Sequence, residues 1–377
     1  MIGMTHSAPS SSAAHPRLVH CFIVRLPSCA WIAGLRPVAL CAGFPATLLL
    51  RPPYLAGNPC RRPMPRASLR QMLQPGDVIV RVMVNGVPLY FDVEGAELVP
   101  DGGSLRKKPT LLLLHGGPGF DHASFKPAFS GLSADAQVIY LDHRGQGRSG
   151  GNDPATWTLA HWADDVKGFC DALGIEKPFV LGNSFGGFVA MEYMRRHPGH
   201  AAGIILSSTA ARMQLDLIVK AFARRGGPAI GQAAADFWSD IKADKVLPYA
   251  AQVMPYYTVK APMDGPGRAR SIMRPEVLEH FSGPGGEMWG MDFRDSLGRA
   301  ASPVLVLCGD QDPITPWECS EEIIGLLPKE TSQLHRFPHC GHGTFRDDPD
   351  GTFALIRQFM GVGEAVSGAA MPINAPV

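Results

Sequence analysis

From Gln74 onward the chain is written in short apolar runs separated by polar, Gly-rich stretches. Residues 77–84 and 87–93 are β-rich and flank Asn85-Gly86, the dipeptide that best fits a tight hairpin turn. Residues 110–114, 137–141, 178–181, 202–206 and 303–307 are almost wholly apolar, with 333–337 as a last strand. Runs without alternation suit parallel strands buried on both faces. Residues 159–173 and 185–196 read as helices between strands. This alternation predicts an α/β fold with an open, mostly parallel sheet flanked by helices.

The first 72 residues follow a different pattern. They open Ser/Ala-rich, and residues 51–70 are dominated by Pro and Arg. Between these, residues 30–50 contain Arg36, Pro37 and Pro45, interruptions that a membrane-spanning helix does not tolerate well. Residues 1–72 are therefore expected to be a disordered or non-native extension, with a targeting role as the alternative. Residues 363–377 are expected to be a disordered tail.

Composition narrows the function classes. The 35 Lys+Arg against 34 Asp+Glu give a net charge of +1, which offers no attraction for nucleic acid or an anionic membrane. The eight Cys show neither CxxC pairs nor Cys/His metal spacing, so no metal site and no disulfide framework is expected. The expectation from composition is a reduced, soluble, globular protein, taken as cytoplasmic.

G-x-S-x-G occurs twice, around Ser149 and Ser184. In a chain with 42 Gly the pattern alone is weak, and context separates the two. Ser184 lies between an apolar strand and a good helix, as a strained elbow requires, whereas Ser149 runs into loop. A serine hydroxyl needs a His to take its proton and a carboxylate to orient that His. Residues 303–316 read as a buried strand opening into a turn that offers Asp310 and Asp312; Asp312, past the strand in a Pro-bounded loop, is favoured. His342, with Gly341 and Gly343 on either side, is favoured over His339. Backbone N–H groups of Phe185 and Gly117 are the expected oxyanion donors, with His115 bracing the Gly117 loop.

These motifs together resemble the α/β-hydrolase superfamily, in the branch of the prolyl aminopeptidases (proline iminopeptidases). The resemblance rests on His115-Gly-Gly-Pro-Gly119, Asp142-His-Arg-Gly-Gln-Gly-Arg-Ser149, Gly182-Asn-Ser-Phe-Gly-Gly187, Gly309-Asp-Gln-Asp312 and Gly341-His342. That branch usually carries Gln where His143 stands and Trp where Phe185 stands. The resemblance implies a core of residues 73–210 and 299–362, with a helical cap at 211–298, after the sixth strand. It implies a serine hydrolase without cofactor that forms an acyl-enzyme on a small-molecule or short-peptide substrate, a small amide or ester, with an aminopeptidase of the iminopeptidase type as first reading. A carboxylesterase or lactonase is the alternative; a non-catalytic receptor-like member and a cofactor-free haloperoxidase are more remote. Trp238, Tyr257 and Trp289 are candidate pocket residues, and Phe237 and Tyr256 further ones. Such peptidases use cap carboxylates to hold the substrate amine, for which Glu276, Glu279 and Glu287 are candidates.

Overall fold

A computed structural model describes residues 80–260 and 269–362. The two expected terminal segments, 1–72 and 363–377, lie outside the described residues.

The described chain opens with β1 (Arg81–Val84) and β2 (Val87–Glu94), antiparallel across the expected Asn85-Gly86 turn. Next comes a hairpin that the sequence pattern did not announce, β3 (Leu98–Asp101) with β4 (Ser104–Lys107), forming its own two-stranded sheet. The apolar runs become β5 (Thr110–Leu114), β6 (Gln137–Leu141), β7 (Phe179–Asn183), β8 (Gly203–Ser207), β9 (Val304–Gly309) and β10 (Ser332–Phe337). Among the described residues the main sheet has eight strands in the order β1-β2-β6-β5-β7-β8-β9-β10. From β6 to β10 every pairing is parallel, and β2 meets β6 antiparallel.

Both faces of that sheet are covered, which is why its strands are apolar without alternation. Leu112 and Leu114 face one core with Val180, Ile204 and Trp162, while Leu111 and Leu113 face another with Phe125, Phe129 and Phe345. The first core is closed by α1 (Leu159–Leu173) and α2 (Phe185–Arg196), both spanning the residues expected from sequence. Helix α1 starts at Thr158, whose hydroxyl accepts the His161 N–H, and stops at Gly174, which takes the left-handed conformation that ends helices.

Between β8 and β9 the chain leaves the sheet for a helical insertion, the expected cap. It contains α3 (Leu215–Gly226), α4 (Pro228–Trp238), α5 (Val246–Gln252), α6 (Pro275–Ser282) and the short α7 (Arg294–Leu297). The chain then adds α8 (Trp317–Leu326), α9 (Thr344–Asp347) and α10 (Pro349–Phe359). Among the described residues no helix is long and apolar enough to cross a membrane.

Candidate active site

Strand β7 runs into helix α2 through one residue, Ser184, with φ 56° and ψ −119°. A non-glycine residue rarely adopts this conformation, and it persists only where its surroundings impose it. Here they do. A Cβ at Gly182 would lie 2.2 Å from the Gly186 carbonyl oxygen, and one at Gly186 would lie 2.0 Å from that of Leu114. Strand and helix can meet this closely only because both positions are glycine. Ser184 N–H donates to the Ser207 carbonyl at 3.0 Å, and the Thr209 hydroxyl donates to the Ser184 carbonyl at 2.9 Å.

The other Gly-flanked serine serves the fold. Ser149 is buried, donates its hydroxyl to the Asp142 carbonyl at 2.6 Å and accepts the Tyr90 N–H at 2.9 Å.

Asp312 and His342 are both buried, and His342 Nδ1 lies 2.8 Å from Asp312 Oδ2. The Asp312 carboxylate is held from every side. Its Oδ1 accepts the N–H groups of Ile314 at 2.8 Å and Thr315 at 3.0 Å, and Oδ2 also accepts the Thr315 hydroxyl at 2.9 Å. The two competitors are elsewhere: Asp310 pairs with Arg336 at 2.8 Å, and His339 is exposed. His342 shares a cavity of about 250 Å³ with Ser184, Gly116 and Gly117.

The loop after β5 passes directly over the elbow, since a Cβ at Gly116 would touch the Ser184 Cβ at 3.4 Å. His115 fastens this loop. Its Nδ1 lies 2.8 Å from the Gly116 carbonyl, which can only accept, and its Nε2 lies 3.3 Å from the His143 N–H, which can only donate. Both contacts are met by one neutral tautomer, with the proton on Nδ1. Burial depresses the pKa of His115 and, well below the usual range, that of His143, so the pair stays uncharged. Phe185 begins α2, where a backbone N–H has no acceptor one turn back in the helix. Its N–H therefore joins Gly117 as a candidate oxyanion donor.

The insertion covers this floor with an apolar wall that includes Val246, Leu247, Met254, Met273 and Leu278. Trp238, Tyr257 and Phe237 line the cavity as expected from sequence, and Tyr249, which the sequence pattern did not single out, lines it beside them. Trp238 Nε1 donates to the Tyr249 hydroxyl at 2.9 Å, and that hydroxyl lies 2.8 Å from the Tyr257 hydroxyl. The buried polar atoms of this wall are thereby partnered with one another.

Five expected pocket residues are displaced from it. Trp289 turns its indole N–H to the Ser282 carbonyl at 2.8 Å and does not line the cavity. Glu276 and Glu279 are exposed; they share the outer side of α6, whose Val277, Leu278 and Phe281 are buried. Glu279 accepts the Ala243 N–H at 3.0 Å, and Glu276 lies 3.9 Å from Arg274. Glu287 is likewise exposed and accepts the Leu159 N–H at 3.0 Å. Tyr256 is partly buried against the core and also does not line the cavity. No carboxylate lines the cavity among the described residues.

A segment inside the insertion, after α5, is clasped to the loop that carries His342. The Tyr257 carbonyl accepts the His342 N–H at 2.6 Å, and the Tyr257 and His342 rings pack edge to face with centroids 5.5 Å apart. Buried Asp347 accepts N–H groups from Val259 at 3.0 Å, Lys260 at 2.9 Å and Gly341 at 2.8 Å. A Cβ at Gly341 would lie 2.0 Å from the Tyr257 carbonyl oxygen, which explains one of the two glycines flanking His342.

An elbow serine and an aspartate-backed imidazole on one cavity, at the carboxyl ends of parallel strands, define a class: this is a serine hydrolase. The comparisons give the family. The model of the alpha/beta hydrolase fold matches residues 109–349, and the chain belongs to that family. It is similar to the proline iminopeptidase of Lactobacillus helveticus, with 25% identity over 274 residues, 68% of this chain and 92% of that one. Among solved structures it resembles the proline iminopeptidase of Mycobacterium smegmatis (TM-score 0.61, 25% identity, 75% of this chain and 97% of that one). It also resembles an esterase of Thermogutta terrifontis (TM-score 0.55, 26% identity, 75% and 97%).

Proposed function

We propose that the protein hydrolyses small esters or amides through an acyl-enzyme formed on Ser184. In this reading Ser184 Oγ attacks the carbonyl carbon and its proton passes to His342 Nε2. Asp312 keeps the other imidazole proton on Nδ1 and stabilises the imidazolium. Phe185 and Gly117 N–H groups receive the oxyanion. The imidazolium then protonates the leaving alcohol or amine. A water gives its proton to His342 and attacks the acyl carbon, and Ser184 recovers its hydrogen as the acid departs. The observation that carries this reading is the 2.8 Å His342–Asp312 contact on the cavity that Ser184 lines.

The cavity wall favours an acyl group without an α-amine. Burying an ammonium with no carboxylate partner costs several kcal/mol, and no described residue of the wall supplies one. An esterase of the carboxylesterase or lactonase kind needs no such partner. The aminopeptidase reading is favoured by a different observation, the likeness to proline iminopeptidases over most of the chain. The two separate in one experiment. A fluorophosphonate should label Ser184 in both cases; the esterase reading then requires turnover of short aryl esters without turnover of prolyl-arylamide. Labelling at Ser149, or at no serine, would remove both. The reading carries the expectation of a cytoplasmic enzyme, which cell fractionation checks.

A further inference from the structure

Among the described residues the cavity wall carries one side chain with a fixed charge, and it is a cation, Arg346. Several covered arginines elsewhere in the fold are paired, Arg144 with Asp165 at 2.7 Å, Arg148 with Asp121 at 2.9 Å and Arg212 with Glu322 at 2.9 Å, whereas Arg225 donates to the Gln311 side-chain oxygen and the Thr258 carbonyl and lies outside the cavity wall. Arg346 has no such counter-ion. Its Nη1 donates to the His342 carbonyl at 3.0 Å, and its guanidinium lies over the Phe345 ring at 4.4 Å. The two carboxylates nearest in sequence and site are already engaged. Asp347 is taken up by backbone N–H groups, and Asp312 by Ile314, Thr315 and His342. A guanidinium has five donor hydrogens in a planar fork suited to a carboxylate, and one of them is used here.

The backbone makes room for this cation. Gly343 sits at φ +86°, and a Cβ there would fall 2.2 Å from Arg346 Nη1. Burial lowers the arginine's pKa to about 10, which still leaves it charged at neutral pH. Asp347 and Asp312 act on this cation through space, but neither is in direct contact with it, so on a cavity wall without carboxylates among the described residues its remaining donors are left for an anion that a ligand brings.

We propose that Arg346 anchors a carboxylate carried by the substrate, so that the enzyme prefers half-esters or half-amides of dicarboxylic acids over their neutral counterparts. This rests on the serine-hydrolase reading above. The half-acid chain would lie along the apolar wall, with its scissile carbonyl at Ser184 and its free carboxylate at the guanidinium.

The test compares monoethyl succinate, glutarate and adipate with the neutral ethyl esters of matching length, in the parent and in Arg346→Met and Arg346→Lys. The quantity read is the ratio of kcat/KM for half-ester over neutral ester, so a general loss of activity cancels. The parent ratio should exceed one for at least one chain length, and Arg346→Met should lower it about 30-fold, mainly through KM. Arg346→Lys should retain part of the preference. In the parent, the free dicarboxylate of that length should protect Ser184 from phosphonate labelling competitively, which tests the proposal even if a variant fails to fold. The proposal is overturned if the parent prefers the neutral ester at every length, or if both substrates fall together in Arg346→Met, as a merely bracing role predicts. If Ser184 is not labelled at all, the hydrolase reading itself has failed, and this outcome is distinguishable from the other two.

Discussion

Replacing Asp312 by Asn changes one atom at the site, and the surrounding donors dictate how the amide must sit. The Oδ1 position receives two backbone N–H groups, from Ile314 and Thr315, which cannot reverse their polarity. The amide oxygen must therefore occupy that position, and the NH2 group faces the Thr315 hydroxyl and His342 Nδ1. The hydroxyl can rotate and accept. The imidazole can accept at Nδ1 only by carrying its proton on Nε2, which is the nitrogen that must receive the proton of Ser184. Every hydrogen bond at Asp312 is thus conserved in number while the base is put in the wrong tautomer. We expect kcat for an aryl ester to fall about 10³- to 10⁴-fold, equivalent to about 4 to 5.5 kcal/mol of barrier. The urea midpoint should change little, because no buried donor or acceptor is orphaned. Phosphonate labelling of Ser184 should slow in parallel with kcat. A folded Asn variant retaining a tenth or more of parental kcat would refute the assignment of Asp312 as the orienting carboxylate.

Other outcomes follow from the same contacts. Gly186→Ala would drive a methyl group to 2.0 Å from the Leu114 carbonyl oxygen, so it should give insoluble or inactive protein, scored by expression and circular dichroism. Ser149→Ala should leave kcat near parental but cost about 1 to 3 kcal/mol in urea unfolding, because the Asp142 carbonyl and Tyr90 N–H lose a shared partner. Burial raises the thiols of Cys170, Cys308 and Cys319 to about 12, against about 8.5 in an unfolded chain. Between these values the folded state holds protons that the unfolded state has released. Stability should therefore be fully present below about pH 8.5 and decline above it, by about 1 to 2 kcal/mol per thiol at pH 10. Urea midpoints that are level between pH 7.5 and 10 would contradict this.

The parallel strands were legible because burial on both faces leaves unbroken apolar runs, and Leu111 to Leu114 are all fully buried. Helix α2 was legible with them, since Gly182 and Gly186 mark the only backbone that can turn so sharply. The β3–β4 hairpin was not, because its strands are mostly exposed and carry no hydrophobic period; Gly102-Gly103 at its turn was the available sign. The glutamates failed for a reason the sequence did contain. Val277, Leu278 and Phe281 define the buried side of α6, and Glu276 and Glu279 fall outside it. Residue type alone selected them, without asking which side of the helix they occupy. Tyr249 and Arg346 escaped because a hydrogen bond to Trp238 and a place on the cavity depend on tertiary approach. A cation one helical turn beyond His342 was the single hint for Arg346.

The clasp between residues 257–260 and the His342 loop bears on how this enzyme could be re-engineered. The floor of the cavity belongs to the sheet and the roof to the insertion, so an exchange of roofs between relatives would look like a clean way to import new selectivity. The seam lies at neither boundary of the insertion. It lies at Tyr257, Val259 and Lys260, whose backbone groups share partners with the loop that carries the imidazole. A transplanted roof that ends before Tyr257 would leave the proton acceptor seated as it is. One that crosses this stretch would have to bring a carbonyl and two amides to the same three places, or the graft would fold and bind while the imidazole drifted out of register.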